Sequence, residues 1–160
     1  MPTVYLAYGS NMGNRLENIH KAVSLLNQNG IKVTTVSKPL ETKPVGGVAQ
    51  ANFLNGVMAA ETQLAPQKLL AQIKTIEQKI GRVKSLKNGP RPIDIDILLY
   101  GHLKINTDSL KIPHPEITQR SFVREPLKEI APQLNIPSFH ASQREPNGKA
   151  RDAYLSKEAR

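Results

Sequence analysis

Two carboxylates stand two positions apart in the segment GPRPIDIDILLYG, residues 89–101. Because the side chains of a β-strand alternate between its faces, Asp94 and Asp96 must share one face while the isoleucines around them share the other. Their Cα atoms then lie roughly 6.6 to 6.8 Å apart, so both carboxylates can converge on shared cations. Oxygen ligands without Cys or His beside them suit Mg²⁺, which usually shares its coordination shell with water and substrate phosphates. The plain alternative is that water or neighbouring Lys and Arg side chains solvate this face.

A basic loop leads directly into this strand, and its cationic residues are Arg82, Lys84, Lys87 and Arg91. Arg120 follows further along the chain. Guanidinium groups match phosphate oxygens bidentately and stabilise charge during phosphoryl transfer. Cations next to the two aspartates therefore favour Mg²⁺-nucleotide chemistry. The sequence has neither a Walker A motif nor a kinase-type glycine loop, so a nucleotide site here must be of another kind.

Three further residues are candidates for ligand recognition. His114 lies between two prolines in IPHPEI, where a rigid loop can present it to a phosphate. Phe53 and Phe122 belong to a small aromatic set of three Phe, four Tyr and no Trp. Two such rings can sandwich a flat heterocycle, although ordinary core packing explains them equally simply.

The composition limits the class of protein. A chain of 160 residues with 39% hydrophobic residues fits one globular domain, residues 1–160. It has no cysteine, which excludes disulfides and Cys-type zinc sites and is compatible with the reducing cytoplasm. No signal peptide or membrane-spanning run is evident. The net charge of +9 favours nucleic acid, an acidic membrane surface or a phosphorylated small molecule, or is simply a basic surface.

The first half of the chain predicts a strand, a helix and two further strands. TVYLAY, residues 3–8, is a short apolar strand, and the helix after it begins at Asn14, which can cap it with Glu17 as capping-box partner. That helix ends at Gly30. The segments 31–37 and 53–60 then predict two strands that are adjacent and antiparallel, joined by a long loop rich in Pro and Gly.

The second half predicts a helix from Pro66 to Gly81 and then the strand that carries the two aspartates. The order βαββαβ is that of a ferredoxin-like α+β fold, in which two helices pack on one face of an antiparallel sheet. A small hairpin near residues 101–102 and a helix at about Ser121–Ile130 follow. The tail from about residue 142 lacks apolar periodicity, and we expect it to be partly flexible. The long loops 38–51 and 82–92 are the expected carriers of function.

Four ordered segments resemble one family. YLAYGSNMGNR, ETKPVGGVAQANFLNGV, IEQKIGRVKSLKNGPRPIDIDILLYG and IPHPEITQRSFVREPL are similar, in order and spacing, to the 6-hydroxymethyl-7,8-dihydropterin pyrophosphokinases of folate biosynthesis. The resemblance covers roughly residues 3 to 135 and also implies a ferredoxin-like fold. It implies an enzyme that moves the terminal pyrophosphoryl group of ATP onto the hydroxymethyl oxygen of the pterin and releases AMP, with two Mg²⁺ ions.

The resemblance also implies roles for single residues. The metal ligands correspond to Asp94 and Asp96. The catalytic residues correspond to Arg82, Arg91 and Asp96. The residues at the ATP site correspond to Glu77, Lys84, His114 and Arg120. The residues at the pterin site correspond to Thr42, Val45, Phe53, Asn55 and Phe122, with the two Phe rings stacking on the pterin and Asn55 reading its polar edge.

The sequence departs from the family in the loop before the aspartates. Asn88 stands where the family usually has Trp, Lys84 stands where Arg is common, and the loop is one residue shorter. One alternative is therefore a weakened relative that binds pterin or nucleotide without efficient transfer. Another is an RNA-binding module, but the RNP aromatic pattern is absent and the Asp pair would repel phosphate. We expect a monomer that acts on small molecules, without a nucleic-acid or membrane partner.

Overall fold

The computed structural model describes residues 1–44, 49–81 and 90–134, which form a main sheet with helices on both faces and a separate two-stranded ribbon. Its strands are β1 (Thr3–Ser10), β2 (Ile31–Val36), β3 (Leu40–Thr42), β4 (Phe53–Thr62), β5 (Asp94–Tyr100), β6 (Ile105–Asn106) and β7 (Lys111–Ile112). Its helices are α1 (Arg15–Gln28), α2 (Pro66–Ile80) and α3 (Ser121–Ile130). Within these ranges, none of the helices is long and apolar enough to cross a membrane. The predicted tail from about residue 142 lies outside the described residues.

The main sheet has the strand order β2-β4-β1-β5, and every neighbouring pair is antiparallel. The predicted pairing of the second and third strands is confirmed, because β2 lies beside β4 with Ile31 opposite Thr62. The short strand β3 was not predicted and lies inside the expected loop 38–51, where it pairs with the start of β4. The three residues of β3 are too few to show the alternation of apolar and polar side chains that indicates a strand. β6 and β7 form a separate ribbon that follows the turn at residues 101–102.

The helix ends follow the local signals in the sequence. The Asn14 side chain accepts a hydrogen bond from the backbone N–H of Glu17 at 3.0 Å, which confirms the predicted N-cap of α1. Gly81 caps α2 with φ of 115°, a left-handed conformation that favours glycine. α2 therefore begins and ends where the sequence places it, whereas α1 begins at its predicted cap and ends at Gln28, two residues before Gly30.

The sheet separates two apolar clusters. On one face, Leu6, Met58 and Ile95 pack with the buried stripes of α1 and α2. On the other face, Tyr5, Val57 and Leu98 pack against α3. Because alternate side chains point to opposite faces, burial of the β5 isoleucines against α1 and α2 turns both aspartates toward the face that carries α3.

Substitution of Gly56 measures how tightly the apolar cluster on the α1 and α2 face is packed. A Cβ atom at Gly56 would lie 2.2 Å from the Tyr8 hydroxyl, so Gly56→Ala should lower the free energy of unfolding by about 3 kcal/mol through overpacking. At Gly30, with φ of 82° and no atom within 4 Å of an added Cβ, Ala should cost only about 1 kcal/mol of backbone strain. Urea unfolding of both variants measures the difference. Equal losses would contradict the packing argument.

Candidate active site

One cavity on the α3 face gathers most of the residues predicted for a site. It has an empty volume of about 440 Å³, including the part that opens to solvent. The predicted residues that line it are Asn55, Asp94, Asp96, His114, Arg120 and Phe122. They come from β4, β5, the segment after β7 and the start of α3, so the fold brings together side chains that are up to 67 positions apart (Asn55 and Phe122, 122 less 55).

The central strand β1 forms the floor of the cavity with small residues. Gly9 lies opposite Asn55 on one side and Asp94 on the other, and Ala7 lies opposite Val57 and Asp96. A Cβ atom at Gly9 would come within 2.5 Å of the Asn55 Oδ1 atom and 3.4 Å of the Phe53 Cδ1 atom. Glycine therefore leaves room for Asn55 and Phe53, although the sequence indicated only a loop at this position.

Three residues that lie side by side on β4, β1 and β5, namely Asn55, Gly9 and Asp94, define the width of the site. Asn55 and Asp94 are both paired with Gly9, so two strand spacings, roughly 10 Å, separate their Cα atoms. A flat heterocycle at the β4 side can thus lie beside a phosphate group at the β5 side. The arrangement suits a ligand pair of different chemistry in one cavity.

The two aspartates lie together at the β5 side. Burial raises the pKa of Asp96, and the negative charge of Asp94 raises it further. His114, Lys74 and Arg120 oppose this shift without cancelling it. Asp94 is also held by Arg91, whose Nη1 lies 3.1 Å from the Asp94 Oδ2 atom. The pair is therefore a half-buried negative charge that nearby cations only partly balance.

This carboxylate pair fits a hard divalent cation. A bound Mg²⁺ would offset the repulsion that raises the Asp96 pKa, and oxygen atoms are its preferred ligands. Across residues 1–44, 49–81 and 90–134 there is no group of three or more His, Cys, Asp and Glu side chains that could hold a metal. Two carboxylates alone suit Mg²⁺ whose remaining ligands are water and substrate phosphates, which is its usual mode of binding.

His114 and Arg120 line the cavity together with this pair, and the backbone N–H of His114 donates to the Leu98 carbonyl of β5 at 2.9 Å. The backbone N–H of Glu116 donates to the His114 Nδ1 atom at 3.1 Å, so the neutral ring carries its proton on Nε2. The Arg120 guanidinium pairs with the Glu116 carboxylate and lies 5.6 Å from the centre of the Phe122 ring. Glu116 thus orients both groups, and the sequence did not single it out.

The β4 side carries the groups predicted to recognise a ring. The Asn55 side-chain amide donates to the buried Thr42 hydroxyl, which fixes the amide plane. The short strand β3 makes this contact possible, because it places Thr42 opposite Phe53 on β4. Thr42, Phe53 and Asn55 therefore form one unit beside Gly9. Phe122 lines the same cavity from α3.

Glu77 lies on the other face of the sheet. Its side chain is 1% exposed, and its Oε2 atom accepts a hydrogen bond from the backbone N–H of Ile95 at 2.8 Å. Glu77 is not among the residues that line the cavity; it holds the backbone between the two aspartates. Four other loop positions lie outside the described residues: Val45, Arg82, Lys84 and Asn88.

Comparison with known proteins identifies relatives along most of the chain. Residues 5–132 match the model of the 7,8-dihydro-6-hydroxymethylpterin-pyrophosphokinase (HPPK) family. The 2-amino-4-hydroxy-6-hydroxymethyldihydropteridine pyrophosphokinase of Aquifex aeolicus is 45% identical over 87% of this chain and 86% of its own length. The Bacillus subtilis protein of that name is 44% identical over 81% of this chain and 78% of its own.

Longer relatives contain a similar region. The mitochondrial folate synthesis bifunctional protein of Pisum sativum is 43% identical over 79% of this chain, but the chain spans only 25% of that protein. An HPPK-DHPS crystal structure in complex with substrates has a TM-score of 0.63 at 17% identity, over 97% of this chain and 44% of that one. A Plasmodium falciparum HPPK-DHPS structure has a TM-score of 0.68 at 14% identity, over 92% of this chain and 45% of that one. These structures share the fold.

The raised Asp96 pKa makes a prediction about stability without metal. Because the folded state favours the protonated carboxyl group, stability should fall as the pH rises from 3.8, the ordinary Asp value, through the raised value. Asp96→Asn should remove this slope and raise the melting temperature at pH 7 in EDTA. Thermal unfolding across pH measures it, with the exposed Asp108→Asn as control. A lower melting temperature for Asp96→Asn would contradict the assignment.

Proposed function

The chain belongs to the 7,8-dihydro-6-hydroxymethylpterin-pyrophosphokinase family, and we propose that it transfers the terminal pyrophosphoryl group of ATP to the hydroxymethyl oxygen of 6-hydroxymethyl-7,8-dihydropterin and releases AMP. One observation carries the proposal: an aspartate pair and cationic groups line the same cavity as Asn55 and Phe122. Chemistry on a phosphate chain needs the carboxylates and the cationic groups, and recognition of a flat ring needs Asn55 and Phe122.

The metal side of the site is Asp94 and Asp96. They would hold Mg²⁺, two ions by resemblance to the family, and this metal would supply charge stabilisation at the phosphates. Arg91, paired with Asp94 at 3.1 Å, is placed to contact a phosphate that approaches this carboxylate. Glu77 supports the site from below the sheet through Ile95. The catalytic role of Arg82 and the ATP contact of Lys84 remain predictions from the sequence.

His114 and Arg120 would bind the remaining phosphate oxygens. With its Nδ1 atom occupied by the Glu116 N–H, His114 can donate only from Nε2, so the ring has one direction of donation into the cavity. Arg120 adds a guanidinium that is about one-third exposed and can leave Glu116 for a phosphate. Catalysis of this transfer depends mainly on positioning and charge stabilisation, which these groups supply.

The pterin would lie over Gly9 between Phe53 and Phe122. Stacking tolerates any flat ring, so selectivity must come from the Asn55 amide, which both donates and accepts. Thr42 accepts one amide hydrogen and thereby fixes which edge of Asn55 meets the ring. Val45 remains a predicted member of this pocket.

The architecture is best explained as ferredoxin-like. The order β2-β4-β1-β5, with α1 and α2 on one face, supports a βαββαβ core in which β3 is a short extension of the β2 edge and α3 an addition on the other face. A single domain, a monomeric state and a cytoplasmic location remain predictions from the sequence.

The decisive experiment separates AMP from ADP after incubation with Mg²⁺-ATP, with and without 6-hydroxymethyl-7,8-dihydropterin. We expect AMP that depends on the pterin, and Asp96→Ala should lower kcat by about 10³-fold because charge stabilisation at the phosphates is lost. Asp108→Ala removes an exposed carboxylate in the turn between β6 and β7 and should leave kcat unchanged. Full activity of folded Asp96→Ala would exclude the metal assignment, and folded wild-type protein that makes no AMP would favour a binding-only relative.

Gly9→Ala tests the pterin subsite. The added methyl group would lie only 2.5 Å from the Asn55 Oδ1 atom and must displace that side chain, so the KM for the pterin should rise about tenfold or more while the KM for ATP changes little. Gly101→Ala, whose Cβ would come no closer than 3.9 Å to Pro2 but whose φ of 53° costs about 1 kcal/mol of backbone strain, controls for a loss of stability away from the cavity. An unchanged KM for the pterin in Gly9→Ala would place the ring elsewhere.

A further inference from the structure

We propose that Asn11 is a positioning residue that sets the spacing between the pterin side and the metal side of the cavity. The inference rests on the proposed function, because it assigns the two sides their ligands. Asn11 lies at the end of the central strand β1, immediately before the turn into α1, and its side chain is buried at 4% exposure. The sequence marked this position only as part of a loop.

Asn11 bonds to both sides of the site at once. On the metal side, its backbone N–H donates to the Arg91 carbonyl at 3.0 Å, and its Oδ1 atom accepts from the Arg91 N–H at 2.8 Å. On the pterin side, its Nδ2 atom donates to the Gln50 Oε1 atom at 2.7 Å and to the Ala51 carbonyl at 3.0 Å. One buried amide therefore uses its acceptor on one neighbouring segment and both donors on the other.

These hydrogen bonds connect the chain to both neighbouring segments beyond the last paired residues of β1. The strand ladder pairs β1 with β4 as far as Ser10 and with β5 as far as Gly9. Beyond those residues, Asn11 supplies the only described link from this turn to Arg91, three positions before Asp94, and it also holds Ala51, two positions before Phe53. Asp94 and Phe53, which are proposed to contact the two ligands, follow Arg91 and Ala51 by three and two positions. A change at Asn11 should therefore move these two side chains relative to each other.

The turn that carries Asn11 is itself fixed. The Asn18 side chain donates to the Met12 carbonyl at 2.8 Å, and the Asn14 cap holds the first turn of α1. Asn11 is thus a rigid spacer between two segments, which is what precise placement of two substrates requires.

Arg15, the first residue of α1, provides a comparison next to the same turn. Its guanidinium bonds to both carboxylate oxygens of Glu41, at 2.6 and 3.2 Å, and to the Asn52 carbonyl at 3.0 Å. All these partners belong to the pterin side. Loss of Arg15 should therefore loosen one side only, whereas loss of Asn11 should loosen both.

Steady-state kinetics with both substrates test the proposal. Asn11→Ala should raise the KM for the pterin and for ATP about tenfold each and lower kcat about tenfold, since it removes bonds on both sides. Arg15→Gln should raise only the KM for the pterin. Asn11→Asp keeps the acceptor for the Arg91 N–H but turns a carboxylate oxygen toward Gln50 and Ala51, so it too should raise only the KM for the pterin.

A purely structural role predicts a different result. It would lower the melting temperature of each variant yet leave the two KM values and kcat unchanged in the folded protein, so kinetics are measured well below each melting temperature. That result, or an Arg15→Gln variant that changes the same three constants as Asn11→Ala, overturns the inference. If Asn11→Ala does not fold, Asn11→Asp decides alone through the split between its two KM values. Wild-type protein that makes no AMP overturns the proposed function and this inference with it; active wild type with unaffected variants overturns the inference alone.

Discussion

The alternation of side chains along β5 is the constraint on which the site depends. Ile93, Ile95 and Ile97 are nearly fully buried against α1 and α2, and this burial fixes which face the strand turns to the helices. Asp94 and Asp96 must then point into the cavity. A register slip of one residue would exchange the faces and put two carboxylates into the apolar core, at a cost that no local contact could offset. The core thus determines where the two carboxylates lie.

Much of this arrangement was readable in the sequence, and the reason differs between elements. β5, α1 and α2 carry periodic patterns and caps over seven or more residues, so Asn14, Gly81 and the two aspartates were correctly placed. β3 was missed because three residues show no period. Asn11 and Glu116 were missed because their importance lies in long-range or loop contacts that pattern and propensity do not record. The family resemblance supplied Thr42 and Asn55, whose contact the structure then gives.

Glu77 shows how position in the fold refines a role suggested by resemblance. β5 is an edge strand of the sheet, with β1 on one side, and the backbone N–H of Ile95 is bound by a carboxylate instead of a further strand. A buried edge N–H without a partner would be costly, so this hydrogen bond stabilises the strand and covers part of the edge. It also ties α2 to the peptide between the two aspartates.

Acidic side chains therefore lie on both faces of the sheet at β5, and their effects differ. Below the sheet, Glu77 accepts a backbone hydrogen bond and fixes the path of β5. Above it, the Asp94 and Asp96 carboxylates repel each other, and burial raises the Asp96 pKa. A rigid backbone prevents the pair from relieving this repulsion by moving apart, so the repulsion remains available to favour a bound cation. Rigidity beneath the strand and unfavourable charge above it together leave β5 with two preorganised carboxylates whose repulsion a bound cation would relieve.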